Sequence, residues 1–156
     1  MTGGATFSRD RRYRYRLWRR WDQTRPVVVF VLLNPSTADA RHDDPTIRRC
    51  LGFARRWGYG GIEVVNLFAY RASDPRVLRT VRDPVGRANR HQVRAALARA
   101  ELVVLGWGAS TEGDRMLKVS HAYCLGLTSA GQPRHPLYLR RDARPVPYRA
   151  TPAGAA

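Results

Sequence analysis

PVVVFVLLNPSTAD (26–39) is the stretch on which the reading of this chain turns. Residues 26–33 are apolar without alternation, the pattern of a strand covered on both faces. The run then breaks into Asn34-Pro35-Ser36-Thr37. Two readings stand open. One is a strand-to-helix turn, in which Asn and Ser bond their own backbone and Ser36 to Asp39 resembles a capping box. The other is a loop whose asparagine faces a substrate.

Working outward, DDPTIRRCLGFARRWGYGG (43–61) predicts a helix. Asp44 is a good N-cap, Pro45 suits the first helical position, and Ile47, Leu51 and Ala54 share a face. Gly58, Gly60 and Gly61 end it. IEVVNLF (62–68) predicts a second buried strand, and RASDPRVLRTVRDPVGR (71–87) a loop rich in Pro and Asp. ANRHQVRAALARA (88–100) predicts a helix, ELVVLGWG (101–108) a third strand, STEGDRMLKVSHA (110–122) a helix, and YCLGLT (123–128) a fourth strand. Strands alternating with helices imply βαβ crossovers and an α/β fold with a mainly parallel sheet. Upstream, RYRYRLWRRW (12–21) alternates arginine with Tyr, Leu and Trp, as an edge strand does. Its arginines serve either to blunt that edge or to offer a basic, aromatic face to a phosphate backbone. A flexible N-terminus over 1–11, one α/β domain over 12–140 and a loose tail over 141–156 are expected.

The charge narrows the function classes. Lys+Arg is 28 against 12 acidic residues, a net charge of +16. Lys118 is the single lysine, so 27 of the 28 are arginines, a bias in keeping with a GC-rich genome. That bias exchanges Lys for Arg without removing Asp and Glu, so the net excess points to a polyanion, nucleic acid first. No apolar run approaches the roughly 20 residues of a membrane span, and the first residues lack a signal peptide's apolar segment. A cytoplasmic monomer is expected. Cys50 and Cys124 are too few for a disulfide framework, a zinc site or an iron–sulfur cluster. No metal and no cofactor are expected.

In a parallel sheet, ligands collect beyond the strands' carboxyl ends. There the chain places Asn34-Pro35-Ser36-Thr37, then Asn66 with Arg71 beyond it, then Gly106-Trp107-Gly108, then Arg134-His135-Pro136. Each has a plain structural reading: a turn, a satisfied amide, a core tryptophan, a surface histidine. Their coincidence at one sheet edge favours a shared site.

LLNPSTAD, DDPTIRRC, VVNLFAYRASDP and GQPRHPLYL together resemble an uncharacterised family of bacterial and phage proteins, domain-of-unknown-function family 1643, across roughly residues 12 to 140. More distantly, the order of motifs resembles the uracil-DNA glycosylase superfamily, in particular its mismatch-specific uracil/thymine branch. That resemblance implies a three-layer α/β/α sandwich around a four-stranded parallel sheet. It also implies hydrolysis of the N-glycosidic bond of a flipped uracil, mismatched or modified base, in DNA rather than RNA. Asn34 then positions the water, Pro35 and Ser36 belong to its motif, and Asp43 is a candidate base, as are Asp39 and Asp44, with Asp44 better suited to capping. Asn66 reads a base edge, Phe68 or Trp107 stacks on the base, and His135 donates to the departing base. Arg48, Arg71 and Arg134 meet phosphates. The chain departs from the pattern in having Leu137-Tyr138 after His-Pro, where a serine-containing loop is usual. A non-catalytic nucleic-acid-binding module and a hydrolase of free nucleotides or nucleosides are the alternatives.

Overall fold

The computed structural model describes residues 1–150. In chain order the strands are β1 (Thr2–Phe7), β2 (Arg14–Arg20), β3 (Val27–Leu32), β4 (Gly61–Asn66), β5 (Leu102–Gly106), β6 (Tyr123–Cys124) and β7 (Val146–Pro147). The helices are α1 (Pro45–Arg56), α2 (Asn89–Arg99) and the single turn α3 (Gly113–Met116), with 3-10 turns over Pro75–Thr80 and Pro136–Tyr138.

All seven strands form one sheet in the order β1-β2-β4-β3-β5-β6-β7. Strands β4, β3, β5 and β6 run parallel, whereas β1 and β2 at one edge and β7 at the other pair antiparallel. The sheet is therefore seven-stranded and mixed. This corrects the expected mainly parallel, four-stranded sheet. Strands β1 and β2 form a hairpin, which needs only a tight turn, and β2 then docks antiparallel on β4, distant in sequence, with no crossover helix between them in the sheet. Residues 2–7, expected to be loose, supply one of those strands, and 12–21 lies one place inside the edge. The tail expected over 141–156 contains β7, and its residues 151–156 lie outside the described residues.

Side chains alternate across β3, so one run of residues seeds two cores. Val28, Phe30 and Leu32 meet Ile47, Cys50, Leu51 and Phe53 of α1. Val29 and Val31 meet Val93 and Ala96 of α2 on the opposite face. Phe53 is 1% exposed, and truncating such a phenylalanine to alanine costs about 3–5 kcal/mol. Helix α1 begins where Asp44 accepts a hydrogen bond from the Ile47 N–H at 2.9 Å, with Pro45 next. Such a cap is worth about 0.5–2 kcal/mol. The helix ends at Trp57, followed by Gly58 at φ 84°, a conformation that favours glycine. The helix expected over 110–122 shrinks to α3. Gly113 sits so close to Trp107 that a Cβ there would come within 2.1 Å of the indole, so tertiary packing shapes this segment. Both cysteines are buried and unpaired, Cys50 on α1 and Cys124 on β6. No helix among the described residues is long and apolar enough to cross a membrane.

Strand β3 has β4 on one side and β5 on the other. The chain switches direction across the sheet at its carboxyl end, where α/β folds open a crevice. Leu32, Asn66 and Gly106 stand in one row there.

Candidate functional site

The loops leaving β3 and β4 are tied together beyond that row. Leu67 and Phe68 donate their N–H groups to Leu32 and Leu33, and Ala72 donates to Pro35, each at 2.9 Å. Asn34 completes the tie: its Nδ2 donates to the Ala72 carbonyl at 2.7 Å and to that of Pro35 at 3.1 Å. Two carbonyl acceptors demand the amino group on that side, so Oδ1 is left as the free acceptor. Further out the Ser36 and Ser73 hydroxyls meet at 2.9 Å, and Arg71 Nε donates to the Ser36 carbonyl at 3.3 Å.

The β1–β2 turn closes the third side. Arg71 donates its N–H to Arg12 at 2.9 Å and its guanidinium to the Arg11 carbonyl at 3.3 Å. The Arg11 and Arg71 guanidinium carbons lie 4.0 and 4.9 Å from the centre of the Phe7 ring, so two cations share one aromatic side chain. Arg11 adopts φ 62°, uncommon for a residue with a Cβ. The result is a cleft of about 510 Å³ lined by Arg11, Arg12, Arg71, Ser36, Thr37 and Ser73, with Tyr70 and the Ala72 backbone. None of these lining residues is acidic. Arginine forks and hydroxyl donors facing one open space suit a phosphate.

Under the β3 loop lies a second polar layer that water does not reach. Arg14 is 2% exposed and donates to the Ala38 carbonyl at 3.1 Å, while its Nε has no protein partner. Burial pushes its guanidinium down to about 10, opposed by the Asp44 carboxylate; it remains charged at neutral pH. Asn66 is 1% exposed, and neither amide atom finds a partner in the protein. Such a group is the exception in folded proteins.

The expected site residues divide accordingly. Asn34, Pro35, Ser36 and Arg71 come together at the cleft, with Asn34 and Pro35 bracing it and Ser36 and Arg71 lining it. Asp43 accepts from Arg19 Nε at 3.0 Å, and Arg48 donates to the Asp43 carbonyl at 3.2 Å, so both belong to the start of α1. Asp39 receives the N–H groups of Arg41 and His42, which hold its carboxyl down near 2. Trp107 is a core residue rather than a stacking platform: it is 1% exposed and its Nε1 donates to Gln132 at 3.0 Å. Phe68 packs half-buried against the α2-side core. His135 caps the 3-10 turn, its Nδ1 accepting from the Leu137 N–H at 3.2 Å. Burial pushes its imidazole below the usual value, with Asp44 pulling the other way. Arg134 donates to the Tyr138 carbonyl at 2.6 Å, outside the cleft.

Sequence reasoning missed Arg11, Arg12 and Arg14. The signal was present in the arginine run 11–20, but the pairing that bends it against Arg71 is long-range. Among the described residues, no three His, Cys, Asp or Glu side chains gather as a metal site would need.

Fold and site together define an α/β protein with an arginine-lined cleft beyond the carboxyl ends of β3 and β4. A family model described as "Protein of unknown function (DUF1643)" matches residues 14–137, and the chain belongs to that family. No curated protein and no solved structure matches the chain. With a seven-stranded mixed sheet and no structural neighbour, the uracil-DNA-glycosylase-like fold expected from the motif order is not supported.

Proposed function

We propose that the protein binds nucleic acid, DNA in preference to RNA, by seating the phosphate backbone in the cleft between the β3 loop, the β4 loop and the β1–β2 turn. The carrying observation is the convergence of Arg11, Arg12 and Arg71 with three hydroxyl side chains and no lining carboxylate, in a chain of net charge +16. In this reading the protein acts as a cytoplasmic monomer. Phosphate neutralisation releases counterions, so affinity for duplex and single-stranded oligonucleotides should fall linearly on a log–log plot against salt. Arg71→Ala should flatten that slope by about one unit. Binding indifferent to salt, or unchanged by Arg71→Ala, would sink the proposal.

Hydrolysis of an N-glycosidic bond is the second reading, and the fixed amide of Asn34 favours it. With Nδ2 committed to two carbonyls, Oδ1 is oriented as an acceptor for a water. The water oxygen attacks the anomeric carbon and releases a proton to solvent, the bond to the base breaks, and the base leaves with the electron pair and takes a proton. His135 is the candidate donor. The test is release of uracil, mismatched thymine or modified bases from oligonucleotides. Tight binding with no abasic site in any substrate leaves the binding module alone standing.

A further inference from the structure

We propose a second, separate site on the α2-side face of β2, which binds single-stranded nucleic acid by stacking a base on Trp18 between the guanidinium groups of Arg16 and Arg20. It does not rest on the reading of the cleft. Leu17 belongs to the α1-side core and Arg19 pairs with Asp43 in front of α1. Strand alternation therefore sends Arg16, Trp18 and Arg20 to the opposite face. Helix α2 covers β3 and β5 on that face, and beside it runs a groove of about 310 Å³ whose lining includes Arg16, Trp18, Arg20, Glu63 and Arg99.

Three features make this more than a solvated strand face. Glu63, with a side chain only 5% exposed, accepts from Arg16 Nε and from Arg99 at once, so one carboxylate holds two guanidinium groups in place. Arg20 is held by the carbonyls of Asp22, Gln23 and Arg25. Three fixed cations thus face one anion. Gly4 is the register partner of Trp18, and a Cβ there would stand 2.8 Å from the indole nitrogen. Glycine lets the ring settle across β1, where Trp18 lines the groove with the Arg16 guanidinium carbon 5.8 Å from the ring centre. An indole flanked by guanidinium groups is the recognition chemistry of an unpaired base and its phosphates, and it tolerates any base. Duplex hides those base faces.

Trp18 and Arg20 pair with Glu63 and Gly61 at the amino half of β4, whereas the cleft lies beyond its carboxyl end. A thymidine hexanucleotide is too short a probe to need both. Its affinity for the full chain is measured by fluorescence anisotropy, together with quenching of tryptophan emission. Trp18→Ala should weaken the hexanucleotide by roughly 5- to 150-fold, Trp18→Phe should recover most of the loss, and the quench should vanish in Trp18→Phe. Arg71→Ala should weaken duplex and leave the hexanucleotide's quench of Trp18 in place, which separates failure of this site from failure of the cleft. Should Trp18→Ala not fold, the quench in wild type and its loss in Trp18→Phe decide. No hexanucleotide binding, equal binding by Trp18→Ala, or a quench that survives in Trp18→Phe each overturns the proposal.

Discussion

Asn34 shows how one side chain serves architecture and chemistry together. Its amino group links two loops and its carbonyl is left free, so the two roles separate by substitution. In Asn34→Asp a carboxylate oxygen faces the carbonyls of Pro35 and Ala72 and both donated bonds are lost. The expected cost is about 1–3 kcal/mol, read by urea denaturation. His135 gives a second residue-level test. Burial lowers its folded pKa below the 6.5 of the unfolded chain. Between those two values the unfolded state holds a proton the folded state does not. Stability is therefore fully present above 6.5 and is lost as the pH falls through that window. His135→Asn keeps an acceptor for the Leu137 N–H but does not titrate, so its stability profile should be flatter as the pH falls below 6.5. An equally steep profile would assign the acid sensitivity elsewhere. Of the residues expected at the strand ends, Ser36 and Arg71 line the cleft and Asn34 braces it, whereas Asn66, Trp107, Arg134 and His135 lie outside its lining. Trp107, whose sequence context alone favours a core place, is 1% exposed with Gly113 packed against its ring.

At the level of elements, legibility followed the range of the forces involved. Helix α1 was readable because its cap, first-turn proline, apolar face and terminating glycine lie within fifteen residues of one another. Strand β1 was not, because Gly3, Gly4 and Ala5 break up the strand-forming Thr2, Thr6 and Phe7 and the segment leans on its pairing with β2. Its glycines are accommodations: a Cβ at Gly3 would stand 2.8 Å from the Arg19 chain, and at Gly4 equally close to Trp18. Gly4→Val, which raises strand propensity, should nonetheless destabilise by about 1–3 kcal/mol through overpacking. Thermal melting checks this, and a rise in the melting temperature would mean that Trp18 moves aside freely. The same variant should also weaken the hexanucleotide, since it displaces the ring.

For the molecule as a whole, the parallel strands could be recognised from the alternation of strand and helix, but neither their order nor the antiparallel edges could. Hairpin partners are chosen by surface and register, and β7 carries only two residues. The charge was legible as a quantity and not as a distribution. Glu63 and Asp43 pair with Arg16, Arg99 and Arg19, and Asp44 caps α1, while Asp10, Asp22, Asp74, Glu112 and Asp142 pair with exposed arginines. The two basic openings lie toward opposite ends of β4, with no carboxylate lining the cleft and one, Glu63, lining the groove. The buried cysteines carry a last consequence, in kinetics. A thiol reacts as its thiolate, and Cys50 and Cys124 are 0% and 1% exposed with burial pushing both thiols up. An alkylating reagent therefore acts as a clock for opening rather than a label for the surface. Cys50, locked in the α1 core, should react only on global unfolding. Cys124, on a two-residue strand next to the β7 edge, should react first, as that edge opens on its own. Equal rates at the two sites would show instead that the sheet opens as one cooperative unit.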